Sequence, residues 1–135
     1  MTIDLNWWAI LVSGIIGMLL GSLWYSQILF GKQWMEAMGK KEDEADMHKN
    51  MWGAYSISFI GALLASFILA LLVEYKLAAT FLEGTILGIM AWVGFVLPFG
   101  LNGVLFESRN KKLFYINTGY YLLWFVLAGG ILAVW

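Results

Sequence analysis

Apolar positions in this chain come in long blocks with the charges gathered between them. Leu5 to Gly31 carries no charge over 27 residues and Asn50 to Val73 none over 24. Gly84 to Phe106 and Leu113 to Trp135 carry none over 23 residues each. A helix rises about 1.5 Å per residue and a bilayer core is about 30 Å thick, so about 20 apolar residues cross it once. Each block is long enough for one crossing and too short for two. An open sheet is excluded as a span, because its edges would leave backbone groups unpaired in lipid. The pattern therefore predicts an all-α integral membrane bundle of four transmembrane helices with antiparallel neighbours. The spans fall at about 7–30, 51–73, 80–106 and 113–135, with a polar loop over 31–50, and residues 1–135 make a single domain.

Local signals mark the ends. Thr80-Phe81-Leu82-Glu83 has the spacing of a capping box, which starts the third helix at Thr80 with Glu83 near its positive dipole end. Asp4 stands similarly before the first. Trp7, Trp8, Trp24, Tyr25, Trp52, Tyr55, Tyr75, Tyr115 and Trp135 gather near span ends, where amphipathic rings favour the headgroup region. Pro98, the only proline, lies inside the third span and denies a hydrogen bond to the Gly94 carbonyl, which predicts a kink there. In the long loop, Gln33 to Met38 fits a short interfacial turn of helix with Trp34, Met35 and Met38 toward lipid. Lys40 to Lys49 reads as a solvated connection that leads into the second span.

Basic residues orient the bundle. Lys32, Lys40, Lys41 and Lys49 lie in the first loop and Arg109, Lys111 and Lys112 in the third, while the other side has only Lys76. The positive-inside rule then places loops one and three in the cytoplasm and both termini outside. Composition agrees with a membrane protein: 61% of residues are hydrophobic and 13% charged, against about 45–50% and 25% in soluble domains. The net charge of -1 gives no basic face for nucleic acid. With no cysteine and one histidine, His48, a disulfide framework, a thiol redox centre and a bis-imidazole haem site have no ligands in one chain. The first apolar stretch lacks a basic leader and a cleavage site, and reads as a retained span.

Small residues recur at helical spacing. Gly14, Gly17 and Gly21 share a face of the first helix, Ala62, Ser66 and Ala70 of the second, and Gly84 and Gly88 of the third. Such rows let backbones approach closely where lipid gives no hydrophobic drive. They serve either internal packing or an oligomer contact. Polar side chains inside spans are costly in lipid and usually face protein or water. Trp24, Tyr25, Ser26, Asn102, Glu107, Arg109, Asn117 and Tyr120 all fall in the predicted cytoplasmic half, and form a candidate polar cluster open to that side. Asn117 shares a face with Tyr120 and Tyr121 at i,i+3 and i,i+4, whereas Glu107 and Arg109, two apart, do not face each other on a helix. The interiors of the blocks hold no acid, lysine or arginine, unlike small proton-coupled exporters. No nucleophile–base pair, phosphate loop or metal-ligand spacing is present, so an enzyme is the least expected class and no cofactor is implied.

Several of these residues also carry a family resemblance. Asn6-Trp7, then Gly21-Ser22-Leu23-Trp24-Tyr25-Ser26 running into Leu29-Phe30-Gly31-Lys32 and Trp34, open the match. Asn102, Phe106-Glu107 and Arg109, then Leu113-Phe114 and Ile116-Asn117-Thr118-Gly119-Tyr120, complete it. Over nearly its whole length the chain resembles the small bacterial four-helix membrane proteins of the domain-of-unknown-function family numbered 1761. The resemblance implies a four-helix fold and a bacterial inner-membrane location, and no reaction. The expected role is a binding or assembly subunit in the bilayer that self-associates or joins a larger membrane complex. A transporter or channel with a cytoplasmic vestibule, or a binder of lipid or hydrophobic metabolites, is the alternative. The last requires an apolar pocket between helices with Asn102 or Arg109 at the ligand's head group.

Overall fold

Asn6 opens the first helix: its side chain accepts from the Ala9 N–H at 3.1 Å, taking the capping place that the sequence suggested for Asp4. The computed structural model describes residues 2–39 and 51–135. Its elements are α1 (Trp7–Trp24), α2 (Gly31–Ala37), α3 (Trp52–Lys76), α4 (Phe81–Ala91), a π-helical turn (Trp92–Val96), α5 (Leu97–Phe106) and α6 (Lys111–Val134). α1, α3, the continuous 81–106 segment and α6 are the four helices long and apolar enough to cross a membrane. The reading of Lys40 to Lys49 lies outside the described residues.

Three features around the first two spans differ from the sequence expectation, each for a local reason. The first span ends at Trp24, not near residue 30. Ser26 Oγ takes the Leu23 carbonyl at 2.6 Å, and the Gly31 N–H closes onto the Ser26 carbonyl at 2.8 Å. A side-chain hydroxyl that competes for a carbonyl is a common way to stop a helix. Gly31 is required in this turn, since a Cβ there would stand 2.6 Å from the Tyr25 carbonyl oxygen. α2 then overlaps the stretch expected to be interfacial, but Trp34 turns inward and packs at a tilt against the Tyr25 ring, 5.2 Å between centroids. α3 runs on to Lys76. Leu77 ends it in the left-handed region at φ 56°, and the Ala78 N–H reaches back to the Val73 carbonyl at 3.0 Å.

Thr80 and Glu83 form the expected capping box at the start of α4. At Pro98 the expected disturbance takes a specific form. The helix widens beforehand into the π turn, where the Leu97 N–H bonds the Trp92 carbonyl five residues back. The extra residue accommodates a ring that has no N–H to give.

α6 is the hub, in contact with α1, α3, α4 and α5. Its most extensive partner is α4, so the expected third–fourth pairing is the main seam. The second and third spans touch much less than their short loop suggested, and α3 lies chiefly against α1. Residue numbers run in opposite senses across the α4–α6 and α1–α6 seams. Phe81, Gly84 and Gly88 meet Gly130, Gly129 and Phe125 of α6, while Gly17 and Gly21 of α1 meet Trp124 and Tyr120. Asn6 and Trp135 join at one end through a 3.3 Å hydrogen bond, while Tyr25 and Asn117 join at the other. Ala9, Ile10, Leu69, Ala70, Val73, Trp124, Ala128 and Leu132 make the core between α1, α3 and α6.

The small-residue rows are used inside this bundle. Gly14 faces Leu63 of α3, and Ala62, Ser66 and Ala70 are buried. Gly84 and Gly88 lie directly on the α6 backbone, facing the Gly129 and Phe125 carbonyls. Close approach of this kind forfeits its dispersion contacts if even one methyl intrudes. Gly84→Ala is expected to destabilise the protein by about 3 kcal/mol, at the upper end of overpacking costs. Gly61→Ala, where a Cβ meets nothing within 4 Å, is expected to be neutral or slightly stabilising. Denaturation midpoints of the two variants in detergent micelles check the contrast.

Candidate functional site

A helical side chain covers the turn N-terminal to its own Cα, so it shields the carbonyls three and four residues back. Glycine leaves those carbonyls open. The α1–α6 seam uses this three times. Trp124 lies against Gly17 and donates its indole N–H to the Ser13 carbonyl at 2.9 Å. Tyr120 lies against Gly21 and donates its hydroxyl to the Gly17 carbonyl at 2.6 Å. In the opposite direction, Trp24 lies over Gly119 and donates to the Ile116 carbonyl at 2.9 Å. A fourth case joins α4 to α6, where Thr85 Oγ1 donates to the Val126 carbonyl at 3.2 Å, three and four residues before Gly129 and Gly130. Trp92 donates to the Thr118 carbonyl at 2.8 Å without a glycine beside it.

The candidate polar cluster forms in part around this ladder. The Tyr25 hydroxyl donates to Asn117 Oδ1 at 2.7 Å, and its ring packs edge-on at 5.6 Å against Tyr120. Trp24, Tyr25, Asn117 and Tyr120 are thus brought together. Ser26 is beside them in sequence but serves the turn after α1. With its Oδ1 engaged by Tyr25, the Asn117 amide has its two N–H groups left to donate elsewhere.

Two expectations are corrected. Asn102 is exposed on the outer side of α5 and is no part of the cluster. Gly100 faces Phe114 and Thr118 of α6, and Asn102 lies about 200° further round the helix, on the opposite side. Glu107 and Arg109 do pair, at 2.8 Å between Oε2 and Nε. The i,i+2 argument applies to a helix, and these residues lie beyond its end: Ser108 adopts φ 54° and the Arg109 N–H turns back to the Gly103 carbonyl at 3.1 Å. Both side chains are more than half exposed, so the pair orients Arg109 more than it stabilises the fold.

Arg109 and Asn117 meet again in a cleft between the 95–104 stretch of the third span and the first half of α6. The cleft encloses about 370 Å³, within the range of small-molecule pockets. Phe95, Val96, Phe99, Val104, Leu113 and Phe114 give it apolar walls, while Arg109, Asn117, Thr118 and Tyr121 supply polar atoms. From Leu113 to Tyr121 it runs about 12 Å along α6, from the connecting turn toward mid-helix. Thr118 spends its hydroxyl on the Phe114 carbonyl at 2.6 Å, so the donors left for a guest are those of Arg109, Asn117 and Tyr121. The aromatic wall was not singled out from the sequence. Phe95, Phe99 and Phe114 look like any lipid-facing residues until the packing of α5 on α6 is known. Trp124 had a signal: a tryptophan deep in a span, away from the headgroup belt, needs a partner for its indole N–H.

Among the described residues, no group of three His, Cys, Asp or Glu side chains lies close enough to hold a metal ion. Neither a curated protein nor a solved structure matches the chain. The family described as "Protein of unknown function (DUF1761)" matches residues 8–133, nearly the full length, and the chain therefore belongs to that family.

Proposed function

We propose that this membrane protein is a binding protein, not an enzyme, and that its ligand is an amphiphile held in the cleft between α5 and α6. The observation that carries this reading is the pairing of an apolar, aromatic-walled cleft with Arg109 and Asn117. A lipid-like tail fits the Phe95, Phe99 and Phe114 walls. A head group bearing acceptor oxygens would meet the Arg109 guanidinium and the Asn117 amide, with Lys111 and Lys112 adding positive charge on the adjacent turn. The vestibule of a transporter finds less support. Trp24, Tyr25, Tyr120 and Trp124 fill the seam behind the cleft and spend their donors on the protein itself. The assembly role expected from the small-residue rows also loses those rows to internal packing.

The proposal includes a setting: a bacterial inner membrane with loops one and three in the cytoplasm and both termini outside, as the basic residues of those loops favour. The cleft then opens at the cytoplasmic end. With no cysteine in the chain, single-cysteine labelling has a clean background. Ala79→Cys is expected to react with an impermeant thiol reagent in intact cells, and Lys111→Cys only after permeabilisation. The reverse pattern would refute the orientation.

Native mass spectrometry of gently extracted protein tests the ligand. A bound mass of a few hundred daltons above the 15.2 kDa chain is expected, that increment being the usual size of a membrane amphiphile. Val104→Trp, which fills the cleft, is expected to abolish it, and Arg109→Gln to lower occupancy about tenfold, as expected for losing a charge-assisted hydrogen bond. Protein that emerges bare, or variants that keep the same bound mass, would contradict the reading.

A further inference from the structure

The third span is the one this bundle leaves most open. Only 6% of its window is buried, against 28% for α1 and α3 and 39% for α6. Its outward stripe is not uniformly apolar. Pro98, Leu101, Asn102 and Leu105 recur at three- and four-residue spacing on α5, and all are exposed. Asn102 lies within the membrane-crossing segment, and its carboxamide meets no hydrogen-bond partner among the described residues. One turn earlier, Pro98 has no N–H for the Gly94 carbonyl. Gly94 is itself exposed, with open space where a side chain would stand. Acyl chains cannot satisfy the carboxamide of Asn102.

We infer that this stripe is the contact between two copies of the chain, related by a twofold axis along the membrane normal, with their Asn102 side chains bonded to each other. A carboxamide carries both donor and acceptor, so across a twofold axis it complements itself. Two copies inserted the same way also bring the residue to the same depth. The low profile at Gly94 and Pro98 lets the two helices approach closely. The opposite outer face shows the contrast. On α3, Ile57, Ile60, Leu64 and Ile68 are exposed as well, but they are wholly apolar and lipid alone suits them. The stripe lies across α5 from the ligand cleft, so the two proposals stand independently.

The cysteine-free chain makes the test direct. Leu105→Cys, on the stripe, and Leu64→Cys, on α3, are oxidised in native membranes with copper–phenanthroline, and the fraction running at twice 15.2 kDa is measured. Cross-linking is expected at position 105 and not at 64. Adding Asn102→Leu to the Leu105→Cys chain is expected to weaken the association constant by about three- to thirtyfold, the span measured for interhelical polar contacts in membranes. Asn102→Gln, which keeps donor and acceptor, is expected to retain most of it. Asn102 is exposed and its side chain bonds nothing among the described residues, so these variants are expected to fold. Equal yields at 105 and 64, no cross-link at either, or a yield at 105 indifferent to Asn102→Leu would each overturn the inference.

Discussion

A carbonyl inside a helix is most open to a second hydrogen bond from a neighbouring helix where glycine leaves it uncovered, and the α1–α6 seam of this bundle depends on that constraint. In lipid, apolar surfaces have no reason to prefer one another to acyl chains, so packing and interhelical hydrogen bonds must choose the neighbours. Gly17, Gly21 and Gly119 open three carbonyl-bearing turns, and Trp124, Tyr120 and Trp24 fill them with rings that each carry one donor. Shape and hydrogen bonding thus select the same register. Because α6 supplies partners for this ladder on one side and Gly129 and Gly130 for α4 on another, it becomes the hub.

The cleft follows from the same geometry. Gly84 and Gly88 bring α4 onto the α6 backbone, and the π turn before Pro98 resets the helix between them and α5. Below the reset, Gly100 meets Phe114 and Thr118 of α6 and Gly103 meets Arg109 of the connecting turn, while Phe95 and Phe99 line the cleft beside them. Close contact at one end of this helix pair and a pocket at the other give the proposed ligand site a rigid seam for support. Arg109 reaches that site because the 107–110 turn leaves helical geometry at Ser108, and Asn117 is held there by Tyr25.

The number of spans and the cap at Thr80 were legible in the sequence because each depends on local composition or spacing; spacing also picked out the small-residue rows but left internal packing and an oligomer contact equally open. The polar cluster was legible only by half. Tyr25, Asn117, Trp24 and Tyr120 do converge, since all lie near the same end of α1 and α6. Asn102 does not, because span membership fixes a residue's depth but not its azimuth, and azimuth depends on which face of α5 meets α6. Glu107 and Arg109 misled for a related reason: helical spacing rules lapse at a left-handed residue. Gly129 and Gly130, and the packing role of Gly119, escaped notice since their value lies in what the partner helix inserts beside them.

The central claim is that glycine windows and aromatic donors act as matched pairs, and a double-mutant cycle on Gly17 and Trp124 tests it most directly. A Cβ at Gly17 would stand 2.7 Å from the Trp124 ring. Unfolding free energies are compared for the parent, Gly17→Ala, Trp124→Leu and the double variant. The account predicts that Gly17→Ala destabilises the parent by about 2 kcal/mol and is close to neutral once Trp124 is leucine, a strong non-additivity. Equal costs in both backgrounds would mean that the two residues do not act together, and would contradict the account.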